Sequence, residues 1–256
     1  MRQSGADTAV QNIDLSIVIP VYNEESIVVQ SIRELVQGLQ THAAFQDLHW
    51  ELILSANGCV DQTVPLFEAM QQNDQRLRLL ESPEANYGKA LKKGILAAHG
   101  RWVICDEIDL GDLDFYRRAL TMLQQHGYDL IVGSKRMPES NDKRPALRRL
   151  ASSGVTLLLR AATGFRGTDT HGLKAFERKK LLPVVKICVV DKDMFASELV
   201  VRAHRDPSLR AGEIPVHVQE KRAPSIHLVR RVPNVLKQLI ILAWVIRVTP
   251  SNEQDG

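Results

Sequence analysis

The chain has 256 residues, of which 44% are hydrophobic and 25% charged, and its formal net charge is +3. This length suffices for one large α/β domain, and the composition is that of a globular protein rather than a disordered one. The small net charge gives no support for nucleic-acid binding. Positive charge is nevertheless clustered in two segments, 143–149 and 221–231. These clusters fit either a local anionic partner or a solvated charged face.

The cysteines and the apolar runs indicate where the protein resides. Cys59, Cys105 and Cys188 are far apart and form no CxxC pair, and the N-terminus shows no secretory signal, so we expect a reducing, cytoplasmic setting. No apolar run reaches about 18 residues, so we expect no membrane-spanning helix. The nearest candidate, 235–248, is interrupted by charged and polar residues. Its pattern fits a core or dimer helix, which we favour, or a helix lying on a membrane surface.

Apolar runs rich in β-branched residues alternate with segments of helical spacing once the polar tail, predicted to be disordered over 1–14, has ended. Strands are predicted at 15–20, 51–55, 76–81, 101–105 and 129–133. Helices are predicted between them at 24–40, 61–72, 88–99 and 112–126. The short links imply right-handed βαβ units. We therefore expect a Rossmann-like α/β fold, with a mostly parallel central sheet and helices on both faces.

The alternation fades after Ser134. A polar loop is predicted at 135–145, helices at 148–162 and 193–204, and a strand at 213–218. We expect one domain over 15–220, followed by a C-terminal helical extension and tail over 221–256.

Residues at the carboxyl ends of the strands are the candidates for function, because ligands of parallel α/β sheets bind there. After the first strand, Asn23 is suited to cap the following helix. After the second, Asn57 and Gly58 form a turn signal. In the segment Asn86-Tyr87-Gly88-Lys89, glycine allows close approach of a ligand, and a lysine at a helix start can meet a phosphate.

The fourth strand is followed by three carboxylates, Asp106, Glu107 and Asp109. Like charges at this spacing repel one another, and a divalent cation with hard oxygen ligands removes that repulsion. Mg²⁺ is typically held by one or two carboxylates and by substrate phosphates. The alternative is a solvated acidic turn that caps the next helix.

Taken together, these segments resemble the family 2 glycosyltransferases with the GT-A fold, over roughly 15–220. The similarity rests on the order SIVIPVYNEE, a strand ending at NG, NYGKALKKGILAAHGRW, the acidic turn and DLIVGSKR. Within that family the chain is most similar to the polyprenyl-phosphate sugar synthases, the dolichyl-phosphate mannose and glucose synthase group. This second similarity rests on RRLASS, DTHGLKAF, FASELVVRA and GEIPVHV.

The resemblance implies roles for individual residues. The donor nucleotide-sugar would be bound by Pro20, Tyr22, Glu24, Asn57, Asn86 and Lys89. Mg²⁺ or Mn²⁺ would be held by Asp109 together with Glu107 or Asp106. The phosphate of the acceptor would meet Lys135, Arg136, Arg148, Ser152 and Arg222. The catalytic set would be Asp109, Glu107, Arg148 and Arg222, and Asp169 and Glu198 match acidic positions near the active centre.

The sequence departs from the family pattern in three places. Ala56-Asn57-Gly58-Cys59 replaces Asp-Asp-Gly-Ser, which leaves the nucleotide base open. The acidic motif is ExD rather than DxD, which a cation tolerates. The membrane-spanning C-terminal helices of the family have no counterpart.

The resemblance implies an inverting transferase that moves a sugar from a UDP- or GDP-sugar to an acceptor, with a polyprenyl phosphate favoured. Such an enzyme would be cytoplasmic, with peripheral contact at the inner membrane face. The sequence leaves open whether it forms a homodimer. The alternatives are transfer to a soluble acceptor and a catalytically inert nucleotide-binding module. A nucleotidyltransferase is disfavoured, because no glycine-rich activating loop follows the first strand.

Overall fold

The computed structural model describes residues 12–140, 146–216 and 228–248. The strands are β1 (Leu15–Val21), β2 (Trp50–Asn57), β3 (Leu77–Ser82), β4 (Trp102–Cys105), β5 (Leu130–Ser134), β6 (Lys174–Glu177) and β7 (Ala211–Pro215). The helices are α1 (Val28–Thr41), α2 (Thr63–Gln71), α3 (Tyr87–Ala97), α4 (Leu113–Gln125), α5 (Ala146–Thr163), α6 (Arg178–Ile187), α7 (Phe195–Arg205) and α8 (Leu228–Val248). Short 3-10 turns occupy Pro138–Ser140 and Lys192–Met194.

The strands form one sheet in the order β3-β2-β1-β4-β6-β5-β7. β6 runs antiparallel to β4 and β5, and the other pairings are parallel. The predicted mostly parallel α/β fold is therefore confirmed. The sequence interpretation missed β6 and α6, and it began β7 at Glu213 rather than at Ala211.

Successive strand residues point to opposite faces of the sheet, and helices cover both faces. Ile17 and Ile19 enter one apolar cluster, which contains side chains of α1, α2 and α4. Val18 enters a second cluster, which contains side chains of α3, α6, α7 and α8. Burial on both faces explains why the strands read as continuous apolar runs.

Helix α8 completes the second cluster through its inner face, where Leu239, Leu242 and Ile246 are buried. The segment 235–248, which we expected to be a core or dimer helix, thus contributes to the core. Among the residues that the structure describes, no helix is long and apolar enough to cross a membrane.

Candidate active site

The candidate site lies at the carboxyl edge of the sheet, around the ends of β1 and β4. From β1 the chain moves outward to β2 and β3, and it then returns to place β4 on the other side of β1. The loops after β1 and β4 therefore leave in opposite directions and open a crevice, the usual ligand position in such sheets. Because β6 is antiparallel, residues 168–173, which precede it, lie at the same edge.

The loops after β1 and β2 are tied together by two asparagines. The Asn57 side chain is buried, and its Nδ2 donates to the Val21 carbonyl over 2.6 Å. Asn23 adopts a left-handed backbone, with φ of 53°, and its Oδ1 accepts from the Val60 amide over 2.9 Å. The predicted capping role of Asn23 is wrong, since α1 begins after Ile27 and Asn23 instead bridges the two loops.

The three other predicted donor residues of this region differ in accessibility. Pro20 is buried within β1, paired with Ser55 of β2. Tyr22 follows the strand and is half exposed, and the backbone amide of Glu24 donates to Thr63 Oγ1 over 2.6 Å. Tyr22 therefore places an exposed aromatic ring directly after β1 at this edge of the sheet.

Asn86 and Lys89, at the start of α3, already have partners within the protein. The buried Oδ1 of Asn86 accepts from the amides of Lys89 and Lys192, each over 3.0 Å. Lys89 Nζ lies 2.8 Å from Glu84 and 3.7 Å from Asp191. The hydrogen bond to Glu84 is the main cause that raises the pKa of Lys89. A donor phosphate would have to compete with these carboxylates.

Packing within the protein requires glycine at position 88. A Cβ atom at this position would lie 2.6 Å from the Lys192 carbonyl oxygen and 2.8 Å from Phe195 Cβ. Glycine therefore lets the 3-10 turn of residues 192–194 sit directly on α3, and the ligand-approach role that the sequence indicated stays a prediction.

Asp106 is a buried anchor of the acidic turn. Its Oδ2 accepts from the Tyr116 hydroxyl, and its Oδ1 accepts from the Glu107 amide over 2.6 Å. Burial raises the pKa of Asp106 to about 7, and the charges of Glu107 and Asp112 act in the same direction against these two hydrogen bonds. Both carboxyl oxygens are thus engaged inside the protein.

Glu107 and Asp109 are the half-buried carboxylates of the same turn. Glu107 Oε1 lies 3.9 Å from Lys135 Nζ. The next helix, α4, is capped by Asp112, whose Oδ1 accepts from the Phe115 amide over 2.9 Å. The cap of α4 therefore comes from outside the predicted acidic motif.

The donor set of this turn fits a hard divalent cation that brings most of its own ligands. Across 12–140, 146–216 and 228–248, no three His, Cys, Asp or Glu side chains converge on a common point. Glu107 and Asp109 could supply one or two oxygen ligands, and a diphosphate and water would supply the remainder.

Lys135 and Arg136 follow β5, and Lys135 borders the acidic turn through Glu107. Asp169 fixes this segment, since its Oδ2 accepts from the Lys135 amide over 3.2 Å and its Oδ1 accepts from the His171 amide over 2.9 Å. The Arg136 amide donates to Ser134 Oγ over 3.1 Å. Of the predicted acceptor residues, these two are described, whereas Arg222 and the side chains of Arg148 and Ser152 lie outside the described residues.

Glu213 of β7 holds the segment that carries Asp169. Its carboxylate accepts from the Thr168 amide over 2.7 Å and from the Thr168 hydroxyl, and Thr168 Oγ1 also lies 2.6 Å from Ser134 Oγ. Asp169 is therefore positioned through two strands rather than by a free loop.

Lys174 of β6 is a residue that the sequence interpretation did not single out. Its side chain is buried, and Nζ donates to the Gly172 carbonyl over 2.7 Å. Burial lowers the pKa of Lys174, and electrostatic interactions with Cys105, Asp169 and Glu107 oppose that effect. The available signal was a lone lysine inside the apolar run Leu173–Phe176 of DTHGLKAF.

Glu198 is a structural anchor of α7. It is fully buried; its Oε2 accepts from the amides of Val189 and Val190, and its Oε1 lies 2.8 Å from Arg202 Nε. Glu198 thus holds the chain just before the 3-10 turn that packs on α3.

Comparison with known proteins places the chain in a family. Residues 16–191 match the family described as glycosyl transferase family 2. The chain belongs to this family. The resemblance drawn from the strand-end motifs is therefore confirmed.

Curated relatives of this family member cover most of its length. Glycosyltransferase AglD of Haloferax volcanii is 28% identical over 256 residues, and the match covers 97% of this chain but only 40% of that protein. Dodecaprenyl-phosphate galacturonate synthase of Rhizobium johnstonii is 27% identical, over 95% of this chain and 70% of that protein. Dolichyl-phosphate beta-glucosyltransferase ALG5A of Trichomonas vaginalis is 25% identical, over 82% of this chain and 67% of that protein.

A similar solved structure is glucosyl-3-phosphoglycerate synthase of Mycobacterium tuberculosis, crystallised with Mn²⁺, uridine diphosphate and phosphoglyceric acid. Its TM-score is 0.63 at 18% identity, and the match covers 95% of this chain and 81% of that one. At this identity the likeness establishes the fold.

Proposed function

We propose that this protein is an inverting glycosyltransferase that moves a sugar from a UDP- or GDP-sugar to a polyprenyl phosphate. The observation that carries the proposal is that two half-buried carboxylates, Glu107 and Asp109, follow β4 at the crevice beside β1, with Lys135 Nζ 3.9 Å from Glu107. This arrangement offers ligands for a metal–diphosphate beside a positive charge for a second phosphate.

The donor would lie across the ends of β1, β2 and β4. Tyr22 and Asn57 would face the nucleoside, with Pro20 and Glu24 shaping the loop and with Asn86 and Lys89 framing the far side. Glu107 and Asp109 would hold Mg²⁺ or Mn²⁺, and Asp106 would fix the turn through Tyr116. When bound, the cation would offset the charge that develops on the leaving diphosphate.

The acceptor would need no general base. A phosphate oxygen is already anionic, so it can attack the anomeric carbon directly as the bond from that carbon to the diphosphate breaks, which inverts the configuration. The products are a polyprenyl-phosphate sugar and a nucleoside diphosphate. Lys135, Arg136, Arg148, Ser152 and Arg222 would orient the acceptor phosphate, since arginine and lysine are suited to bind it.

Two of the relatives support this acceptor, because their names specify dodecaprenyl phosphate and dolichyl phosphate. The chain spans 40% of the length of the Haloferax protein that it matches. An acceptor of this class is held in a membrane, so we also propose that the protein works in peripheral contact with the cytoplasmic face of a membrane.

A transfer assay tests the proposal. The purified chain is incubated with Mn²⁺ or Mg²⁺ and a panel of UDP- and GDP-sugars. Each reaction receives a water-soluble short-chain polyprenyl phosphate, the matching polyprenol without phosphate, or 3-phosphoglycerate. We expect transfer to the polyprenyl phosphate alone, with inverted configuration by NMR.

The other outcomes of this assay identify the alternatives. Transfer to 3-phosphoglycerate alone would indicate a soluble phosphorylated acceptor. Metal-dependent nucleotide binding by calorimetry, without transfer to any acceptor, would indicate an inert nucleotide-binding module.

A further inference from the structure

The outer face of α8 carries an exposed apolar stripe. Ile240, Ile241 and Trp244 are 71%, 41% and 64% exposed, although the opposite face of the helix is buried in the core. Exposed Lys237 and Arg247 lie one helical turn before and after them on the same face. The stripe therefore has an apolar centre with a cation at each end.

Helix α5 packs against α8 and has an uncharged stripe of its own. Leu157 and Leu158 are 67% and 45% exposed, and the exposed residues Gly154 and Ala161 lie one turn before and after them. Nothing lies within 4 Å of the Cβ position at Gly154, so the surface is open there. Two neighbouring helices thus leave large apolar side chains uncovered, which is typical of an interaction site.

The charge of these two helices favours an anionic partner. α5 and α8 contain seven basic residues and no acidic one: Arg148, Arg149, Arg160, Arg230, Arg231, Lys237 and Arg247. The rest of the chain has 26 basic and 30 acidic residues. The positive charge of the protein is therefore concentrated on the same two helices that expose apolar side chains.

We propose that α5 and α8 form a membrane-docking surface that takes a bilayer containing anionic lipids. Apolar side chains would enter the boundary between headgroups and acyl chains, while the flanking cations would meet lipid phosphates. Trp244 suits this depth, since its ring is amphipathic. A symmetric dimer through this surface would instead bring the basic residues of two copies together.

The geometry and charge of this surface are independent of the site, whereas its purpose rests on the proposed function. Docking through α5 and α8 would hold the site at a membrane, where a polyprenyl phosphate is embedded.

Vesicle binding tests the surface directly on the full chain. We expect flotation with phosphatidylcholine vesicles that contain phosphatidylglycerol, and less flotation with phosphatidylcholine alone or at high salt. Trp244 also provides a signal, because the other two tryptophans, Trp50 and Trp102, are buried. Its emission should shift to the blue and be quenched by brominated lipids.

Variants separate the docking surface from a general effect of charge. Trp244→Glu should weaken vesicle binding at least about tenfold, whereas Trp244→Phe should keep binding and lose the emission shift. Leu96→Glu is the matched control, since Leu96 is an exposed apolar residue on α3 and should leave binding unchanged. Thermal melting and nucleotide binding of Trp244→Glu should match the wild type, which shows that the variant is folded.

Three results would overturn this proposal. The first is a wild-type chain that does not float with either vesicle. The second is an equal loss of binding in Trp244→Glu and Leu96→Glu. The third is a dimer in sedimentation that Trp244→Glu dissociates while vesicle binding is unchanged, which would assign the surface to a second copy. Transfer to the water-soluble acceptor is measured without vesicles, so its failure is separate from any of these.

Discussion

Lys174 of β6 lies opposite Cys105 of β4, and Cys105 directly precedes the acidic turn. The antiparallel strand thus brings the buried Lys174 side chain close enough to Glu107 and Asp169 for their charges to act on its pKa. In its protonated form, Lys174 offsets part of the repulsion between these carboxylates.

This position of Lys174 predicts a pH-dependent contribution to stability. Burial lowers its pKa below the ordinary 10.5, so the folded state releases the proton more easily than the unfolded state does. Stability therefore rises as the pH is raised toward 10.5. In urea unfolding at increasing pH, the wild type should gain free energy of unfolding relative to Lys174→Met. Lys179→Met is the control, because Lys179 is an exposed lysine of α6. The difference in free energy of unfolding between the wild type and Lys179→Met should stay constant as the pH rises. Parallel curves for wild type and Lys174→Met would contradict the assignment.

Asn57 should not tolerate the aspartate that the family carries at this position. Its Nδ2 donates to the Val21 carbonyl. An aspartate would place a carboxylate oxygen, which can only accept, against the Val21 carbonyl oxygen. Asn57→Asp should lower the free energy of unfolding by about 1–3 kcal/mol. Asn23→Asp is the control, because an aspartate oxygen can still accept from the Val60 amide. Equal stabilities of the two variants in urea titration would contradict this prediction.

Glu198 should act as a structural residue. Removing it in Glu198→Ala leaves Arg202 buried without its carboxylate and frees two amides, which should cost about 3–5 kcal/mol. Glu198→Gln should cost less, since its amide oxygen can still accept a hydrogen bond. Glu84→Ala, which breaks the exposed pair with Lys89, should leave the unfolding midpoint unchanged. A stable Glu198→Ala variant that has lost transfer would instead point to a role in the reaction.

Arg148 should affect the acceptor more than the donor. If its guanidinium binds the acceptor phosphate, Arg148→Ala should raise the KM for polyprenyl phosphate by at least about tenfold and leave hydrolysis of the donor unchanged. Arg117→Ala is the control, because Arg117 is an exposed residue of α4 paired with Asp114. An equal decline of transfer and hydrolysis in Arg148→Ala would rule out the acceptor role.

The parallel core of the fold could be predicted from sequence because its strands are continuous apolar runs separated by helical periods. β6 could not, since it has four residues and contains the buried Lys174, which interrupts the apolar pattern. Its antiparallel insertion between β4 and β5 depends on pairing with residues far along the chain.

The candidate site was predictable where chemistry is local and not where it depends on packing. The turn of Glu107 and Asp109 follows from a strand end and two carboxylates. The burial of Asp106 against Tyr116, the bridge from Asn23 to Val60 and the contact of Gly88 with Lys192 each join segments that the sequence does not relate.

Metal binding by the carboxylates after β4 is tested most directly by a crystal soaked with a nucleoside diphosphate and Mn²⁺. We predict an anomalous manganese peak that contacts the diphosphate and an oxygen of Asp109 or Glu107, at about 2.0–2.3 Å. Asp109→Asn should weaken this peak and lower transfer by about 100-fold or more. A nucleotide and manganese bound elsewhere, with Glu107 and Asp109 both free of metal, would contradict the account.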